Sequence, residues 1–234
     1  MSIKTGYLVL YNLIQLIGNV CVVASIIRYN IDYGMKRHPS ISRLPVAGTF
    51  DTGSRMVRVV LMLQWMEILH SLLRLSKGSP VASLIQVGFK SVIFFVFMDS
   101  DYADETVRNG QAAGLLLFVW SLADAIRYPF YLQQLLNADL YAIKWLRHSA
   151  WILLYPIGIA LEAVVVYSSS PHIRATGRLK LDMPNILNFS IDPILLINMY
   201  LYVGVGMGSY SMLTYMWSQR RRALTPVAAS DKQD

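Results

Sequence analysis

Four stretches of the chain stay apolar for long enough to cross a hydrocarbon core, which takes about 20 residues of helix. Residues 7–27 and 193–219 carry no formal charge, and residues 148–173 carry one, Glu162. Residues 110–123 are clean before an amphipathic continuation to 136. Two further stretches have the same apolar ground but are broken by charge. Residues 57–75 hold Arg58, Glu67, His70 and Arg74, and residues 81–98 hold Lys90 near their centre. The pattern predicts an all-α polytopic membrane bundle of about six transmembrane helices. For 57–75 an amphipathic helix lying on the bilayer is the alternative.

Composition agrees with a lipid bilayer as the chain's surroundings. Of 234 residues 55% are hydrophobic and 15% charged, and the mean hydropathy is +0.43, outside the range of ordinary soluble domains. Residues 1–222 read as a single transmembrane domain, and 223–234 as a polar tail expected to be disordered. The first apolar run is longer than a signal-peptide core and lacks a small-residue cleavage site, so it is expected to stay as an anchor. One cysteine, Cys21, permits no internal disulfide. Neither it nor His38, His70, His148 and His172 has metal-ligand spacing, so no metal is expected.

The net charge of +7 is scattered over loops and helix ends, without the basic stripe and interleaved aromatics of a nucleic-acid surface, so no nucleic-acid partner is expected. Arg220, Arg221 and Arg222 directly after the last span favour a cytosolic C-terminus, and an even number of spans puts Met1 on that side too. The loop at 30–54, with Lys36, Arg37 and Arg43, pulls the other way. "NFS" at 188–190 fits a glycosylation acceptor but abuts a span and is expected to be unused.

Candidate chemistry comes from the polar residues that a bilayer makes costly. A carboxylate at the centre of a span costs on the order of 2.5–3.5 kcal/mol on insertion scales, so such groups face the protein interior. In "WILLYPIGIALE" (151–162), Tyr155, Gly158, Ile159 and Glu162 share one helical face, with about 10.5 Å of rise between phenol and carboxylate positions. Gly158 removes a side chain between them and is expected to leave a groove, while Pro156 frees the carbonyl of Ile152 and favours a kink. Glu162 can clamp an arginine of another span, or phenol and carboxyl can share acid–base work.

Other spans bring Glu67, His70 and Arg74, then Gln86 and Lys90, then Asp124, Arg127, Tyr128 and Tyr131, each set at helical spacing. One such set alone reads as a satisfied interhelical network. Four spans contributing polar groups predict a polar intramembrane cavity. "GVGMG" (204–208) reads as a close helix-packing surface.

An ordered series of motifs adds to this: "EILH" (67–70), Gln86 with Lys90, "WSLADAIRYPFY" (120–131), "KWLRHSAWILLYPIGIALE" (144–162), "MPNILNFSID" (183–192) and "YMWSQRRR" (215–222). With that series the chain resembles the 3-hydroxyacyl-CoA dehydratases, a membrane family formerly labelled protein-tyrosine-phosphatase-like. The resemblance implies Tyr155 and Glu162 as the catalytic pair. It implies removal of water from a very-long-chain (3R)-3-hydroxyacyl-CoA to give the trans-2-enoyl-CoA, the third step of fatty-acid elongation at the endoplasmic reticulum membrane, without a cofactor. It implies as partners the condensing enzyme, the 3-ketoacyl-CoA reductase and the enoyl-CoA reductase. Asp124 stands where the family usually has glutamate, Lys90 where it has arginine, and His148 where it has tyrosine.

Two assignments stay open. Ionising a phenol in a low-dielectric cavity is costly, which favours Glu162 as base and Tyr155 as acid, while a neighbouring cation allows the reverse. Arg127, Arg147 and Lys90 are candidates for that cation or for holding the CoA phosphates. Phosphatase chemistry is excluded, because Cys21 lies among Val20, Val22 and Val23 in a span with no phosphate-cradling loop. A transporter would show repeated topology or paired broken helices, and the sequence shows neither. A catalytically inactive scaffold of the same fold is the remaining alternative.

Overall fold

The computed structural model describes residues 2–37, 49–76, 79–99, 105–108, 110–177, 179–180, 183, 190 and 192–224. They contain helices and no strand. In chain order these are α1 (Ile3–Arg37), α2 (Thr49–Leu72), α3 (Pro80–Val92), α4 (Glu105–Arg108), α5 (Gln111–Leu135), α6 (Tyr141–Ser149), α7 (Trp151–Thr176), α8 (Pro193–Met199) and α9 (Ser209–Leu224). A π-helical stretch, Ile93–Met98, extends α3, and a second, Tyr200–Gly208, joins α8 to α9.

Local chemistry fixes several ends. Ser79 caps α3, its hydroxyl accepting from the Ala82 amide, and Pro80 stands where the lost N–H is free of cost. Asp192 and Pro193 do the same for α8, with the Asp192 carboxylate 2.9 Å from the Ile194 amide. Gly177, at φ +63°, takes the left-handed turn that ends α7. Pro129, Pro156 and Pro171 lie inside helices that continue through them.

The long helices run up and down. The start of α1 meets the end of α2, where Tyr7 Oη lies 2.8 Å from His70 Nε2 and Lys4 Nζ donates to the Arg74 carbonyl. At the opposite end, Arg58 of α2 pairs with Asp99 after α3 at 2.8 Å, and Arg108 of α4 with Asp51 of α2 at 3.4 Å. The first end reappears where Arg220 of α9 donates to Ser149 Oγ just before α7. The starting residues of α1 and the last turns of α9 therefore lie at one end of the bundle, as an even number of passes requires.

The central helix is α5, packed against α1, α2 and α7. Val22, Ile26, Phe50, Leu61, Phe94, Leu116, Leu117, Trp120, Val165 and Val166 form the apolar core around it. Outward faces are apolar as well: Leu10, Ile14 and Ile17 on α1, Ile85 and Phe89 on α3, Leu195 and Met199 on α8 are exposed, as lipid-facing positions are.

Five helical stretches are long and apolar enough to cross a membrane: Ile3–Asp32, Pro80–Met98, Gln111–Leu135, Tyr141–Thr176 and Pro193–Leu224. The sixth long helix, α2, is too charged to qualify by composition. Yet it packs on α1, α3 and α5 and buries Val57, Val60, Leu61, Gln64 and His70, so it belongs inside the bundle and not on its surface. Glu67 and His70 point inward to partners, whereas Asp51, Arg55 and Arg58 near its start are exposed.

The expectation for residues 204–208 is corrected. Gly204, Gly206 and Gly208 are exposed, and no side chain of another helix comes near them among the described residues; a Cβ on Gly204 would meet the Tyr200 ring at 3.1 Å. The tail at 225–234, His38, Arg43, and Asn188 and Phe189 of the acceptor motif lie outside the described residues.

Candidate active site

Polar side chains converge where α2, α3, α5 and α7 meet. The second half of α5 supplies the axis, with Trp120, Asp124, Arg127, Tyr128 and Tyr131 on successive turns. Asp124 is buried. It accepts from Gln64 Nε2 at 2.6 Å and from Lys90 Nζ at 3.0 Å, and Arg127 lies 3.4 Å from its second oxygen. Arg127 donates to Glu67 at 3.0 Å, and Tyr128 donates to the same carboxylate oxygen at 2.6 Å. The Arg127 guanidinium lies over the rings of Tyr128 and Tyr131, which covers its faces while the carboxylates take its edge. A charge this deep persists only when paired, and here each has a partner.

His70 sits at the margin of this network. Its ring meets Tyr7 and Tyr11 edge-on, and its Nε2 is bonded to Tyr7 Oη. Gln86 is half-buried one turn from Lys90 and makes no hydrogen bond among the described residues.

Glu162 lies on the facing side, on α7. Trp120 Nε1 donates to Oε1 at 2.9 Å and the Tyr200 hydroxyl to Oε2 at 3.2 Å. Each carboxyl oxygen thus has one polar neighbour. Lys90 Nζ lies 5.7 Å from the centre of the Trp120 ring, which links the two polar groups. Tyr155, half-buried near the start of α7, has Arg147, Arg127, Asp124 and Tyr131 within electrostatic reach. Because α5 and α7 run antiparallel, Glu162 lies level with Trp120 and Tyr155 level with the Arg127 turn. Asp124 of α5, with Lys90 of α3 bonded to it, lies between those levels.

Two expectations change. Among the described residues, the space lined by Asn19, Gln64, Lys90, Trp120, Ser121 and Asp124 is small, about 10 Å³, enough for a single water. The groove expected at Gly158 is occupied, since Val119 of α5 comes within 3.6 Å of where its Cβ would stand. A Cβ at Gly158 would make ordinary van der Waals contact with Val119.

The family model described as "Protein tyrosine phosphatase-like protein, PTPLA" matches residues 61–226. The chain belongs to this family. Among its relatives is the very-long-chain (3R)-3-hydroxyacyl-CoA dehydratase of Gallus gallus, 31% identical over 96% of the chain and 59% of the relative. The dehydratase 3 of Mus musculus is 28% identical over 94% and 58%, and the dehydratase 2 of Homo sapiens 29% identical over 95% and 82%. The chain thus spans less than two thirds of the chicken and mouse relatives. No solved structure matches it.

Against this family background, two of the three departures noted in the sequence prove to be partners: Lys90 and Asp124 bond to each other. The third, His148, bonds through Nδ1 to the Lys144 carbonyl and meets the Phe130 ring edge-on. Sequence reasoning missed Tyr200, Gln64 and the buried amides Asn12, Gln15 and Asn19 of α1. Spacing i, i+3, i+7 marked those amides as one face, but an uncharged run draws no notice when charge is the criterion. Tyr200 carried no signal, since aromatic residues are common in spans.

Proposed function

We propose that this family member is a very-long-chain (3R)-3-hydroxyacyl-CoA dehydratase, in which Tyr155 and Glu162 are the acid–base pair. The supporting observation is Glu162: a carboxyl group within the span, half-buried, with a polar partner at each oxygen and no cation bonded to it among the described residues. An assembly clamp would pair it with an arginine, yet Arg127 is engaged by Glu67 and Asp124.

In this reading Glu162 takes the proton from the carbon alpha to the thioester. The electron pair of that C–H bond forms the alpha–beta double bond, and the beta C–O bond breaks as Tyr155 protonates the departing hydroxyl, which leaves as water. A proton returning from Glu162 to the Tyr155 oxygen resets the site. Glu67, Asp124, Arg127, Tyr128 and Lys90 set the packing of α5 against α2 and α3, and with it the placement of Trp120 against Glu162. The small central space means that a long acyl chain enters by parting helices at the lipid boundary, where the exposed apolar faces already lie.

The site of action in this reading is the endoplasmic reticulum membrane, with both chain ends cytosolic and the other elongation enzymes as neighbours. Arg220, Arg221 and Arg222 directly after the last span favour the cytosol for that end, while Lys36, Arg37 and Arg43 of the loop at 30–54 pull the other way.

The test is dehydration of a long-chain (3R)-3-hydroxyacyl-CoA by the purified protein in detergent, beside Tyr155→Phe and Glu162→Gln. Product from the wild type and from neither variant is expected. Equal product from all three would move the chemistry elsewhere, and a folded wild type without product would leave a scaffold of the same fold.

A further inference from the structure

At the end of the bundle where α1 starts and α9 finishes, three cations are not answered by carboxylates among the described residues. At the opposite end Arg58 pairs with Asp99, Arg108 with Asp51 and Arg28 with Asp32. Within the bundle Lys90 and Arg127 are taken by Asp124 and Glu67. Lys144 and Arg147 of α6 and Arg220 of α9 have no carboxylate within ion-pair distance among the described residues. The acid nearest in sequence, Asp139, precedes α6 at its far end.

Their setting is ordered. Tyr141, Trp145 and Leu146 form the outward face of α6, whereas Lys144, Arg147 and His148 are half-buried. A helix lying at the lipid surface ordinarily turns its charges to water. The Nε of Arg147 is instead fully buried and has no hydrogen-bond partner. The end of α9 closes beside it: Arg220 Nε reaches Ser149 Oγ at 3.5 Å, and the Trp217 and Trp151 rings meet edge-on at 6.3 Å.

The same cations line up with the proposed catalytic pair. Ala150 keeps helical angles (φ −60°, ψ −30°) between α6 and α7, so residues 147, 151, 155, 158 and 162 fall on successive turns of one face. Arg147 stands about 12 Å of helix rise to one side of Tyr155, and Glu162 about 10.5 Å to the other.

We propose that Lys144, Arg147 and Arg220 form a phosphate seat for the head of a coenzyme A thioester. Guanidinium groups bind phosphate oxygens in pairs, and an ammonium adds a point charge. The pantetheine arm would then run along α7 past Tyr155, bring the thioester between Tyr155 and Glu162, and send the acyl chain toward the middle of the bilayer. Lys90 and Arg127, held by carboxylates, take no part. The identity of the thioester rests on the dehydratase reading; the phosphate chemistry does not.

The experiment is binding of free coenzyme A, dephospho-coenzyme A and pantetheine to the protein in phosphatidylcholine nanodiscs, compared with Arg147→Gln/Arg220→Gln, Lys144→Gln and Arg147→Lys. The wild type is expected to prefer coenzyme A to dephospho-coenzyme A about tenfold, and to lose affinity as salt rises. The double variant is expected to bind coenzyme A at least tenfold more weakly and no longer tell the two apart, with Arg147→Lys restoring part of the loss. Coenzyme A binding that is absent in the wild type, or undiminished in a folded double variant, overturns the seat. A lipid headgroup is the rival occupant. Substitutions that change retention of phosphatidylserine while leaving coenzyme A binding intact would assign the cations to lipid and also overturn it. A wild type that binds coenzyme A in this manner but dehydrates nothing sinks the reaction and leaves the seat standing.

Discussion

Trp120 and Tyr200 illustrate what a single side chain contributes here. Each lies against one oxygen of Glu162, so their effect is to orient the carboxyl group. A hydrogen bond to a charged group is worth about 1.5–3 kcal/mol, or roughly tenfold to a hundredfold in rate if the bond is needed in the transition state. Trp120→Phe is expected to lower kcat by that factor with KM little changed, because the ring's packing against the core survives. Steady-state kinetics beside a melting curve would check it, and an equal fall in thermal stability with unchanged kcat would make the indole a packing residue only. Tyr155 and Glu162 were legible because phenol, glycine and carboxyl recur at helical spacing in an otherwise apolar run. Tyr200 was not, since what singles it out is a contact across 38 residues of chain.

Elements carry two further expectations. The Lys90–Asp124 pair ties α3 to α5 with both side chains nearly buried, at 12% and 5% exposure. Removing one partner of such a pair leaves a buried charge and costs about 3–5 kcal/mol, whereas replacing both by apolar groups is far milder. Lys90→Ala is therefore expected to melt well below the wild type, and Lys90→Met/Asp124→Leu to lose much less than the two single changes summed; additive losses would show no coupling. The π-helical stretch after α8 offers the second. Tyr200 and Gly204 lie one turn apart, and a Cβ on Gly204 would press on the ring that reaches Glu162. Gly204→Ala is expected to lower kcat as Tyr200→Phe does, and the double variant to be no worse than Tyr200→Phe alone. The glycines were visible in the sequence. Their use was not, because GxxxG describes a surface for another helix and this surface clears a side chain of its own.

For the whole molecule, charge was a poor guide to the number of passes and contact a better one. Residues 57–75 read ambiguously because Glu67 and His70 lower the hydropathy of a helix whose polar face is satisfied by Arg127, Tyr128 and Tyr7. Burial of that face within the bundle makes α2 a full member of it, which favours six passes over five. The count has a consequence that hydropathy alone does not supply. Six passes put both chain ends on one side of the membrane; five, with α2 lying on the surface, would separate them. Epitope tags at the two termini, probed with protease in sealed vesicles before and after detergent, are expected to be cleaved together. Protection of one tag alone would remove α2 from the membrane. It would also place Glu67 outside the hydrocarbon core, where its bonds to Arg127 and Tyr128 could not hold α5 in register with Glu162.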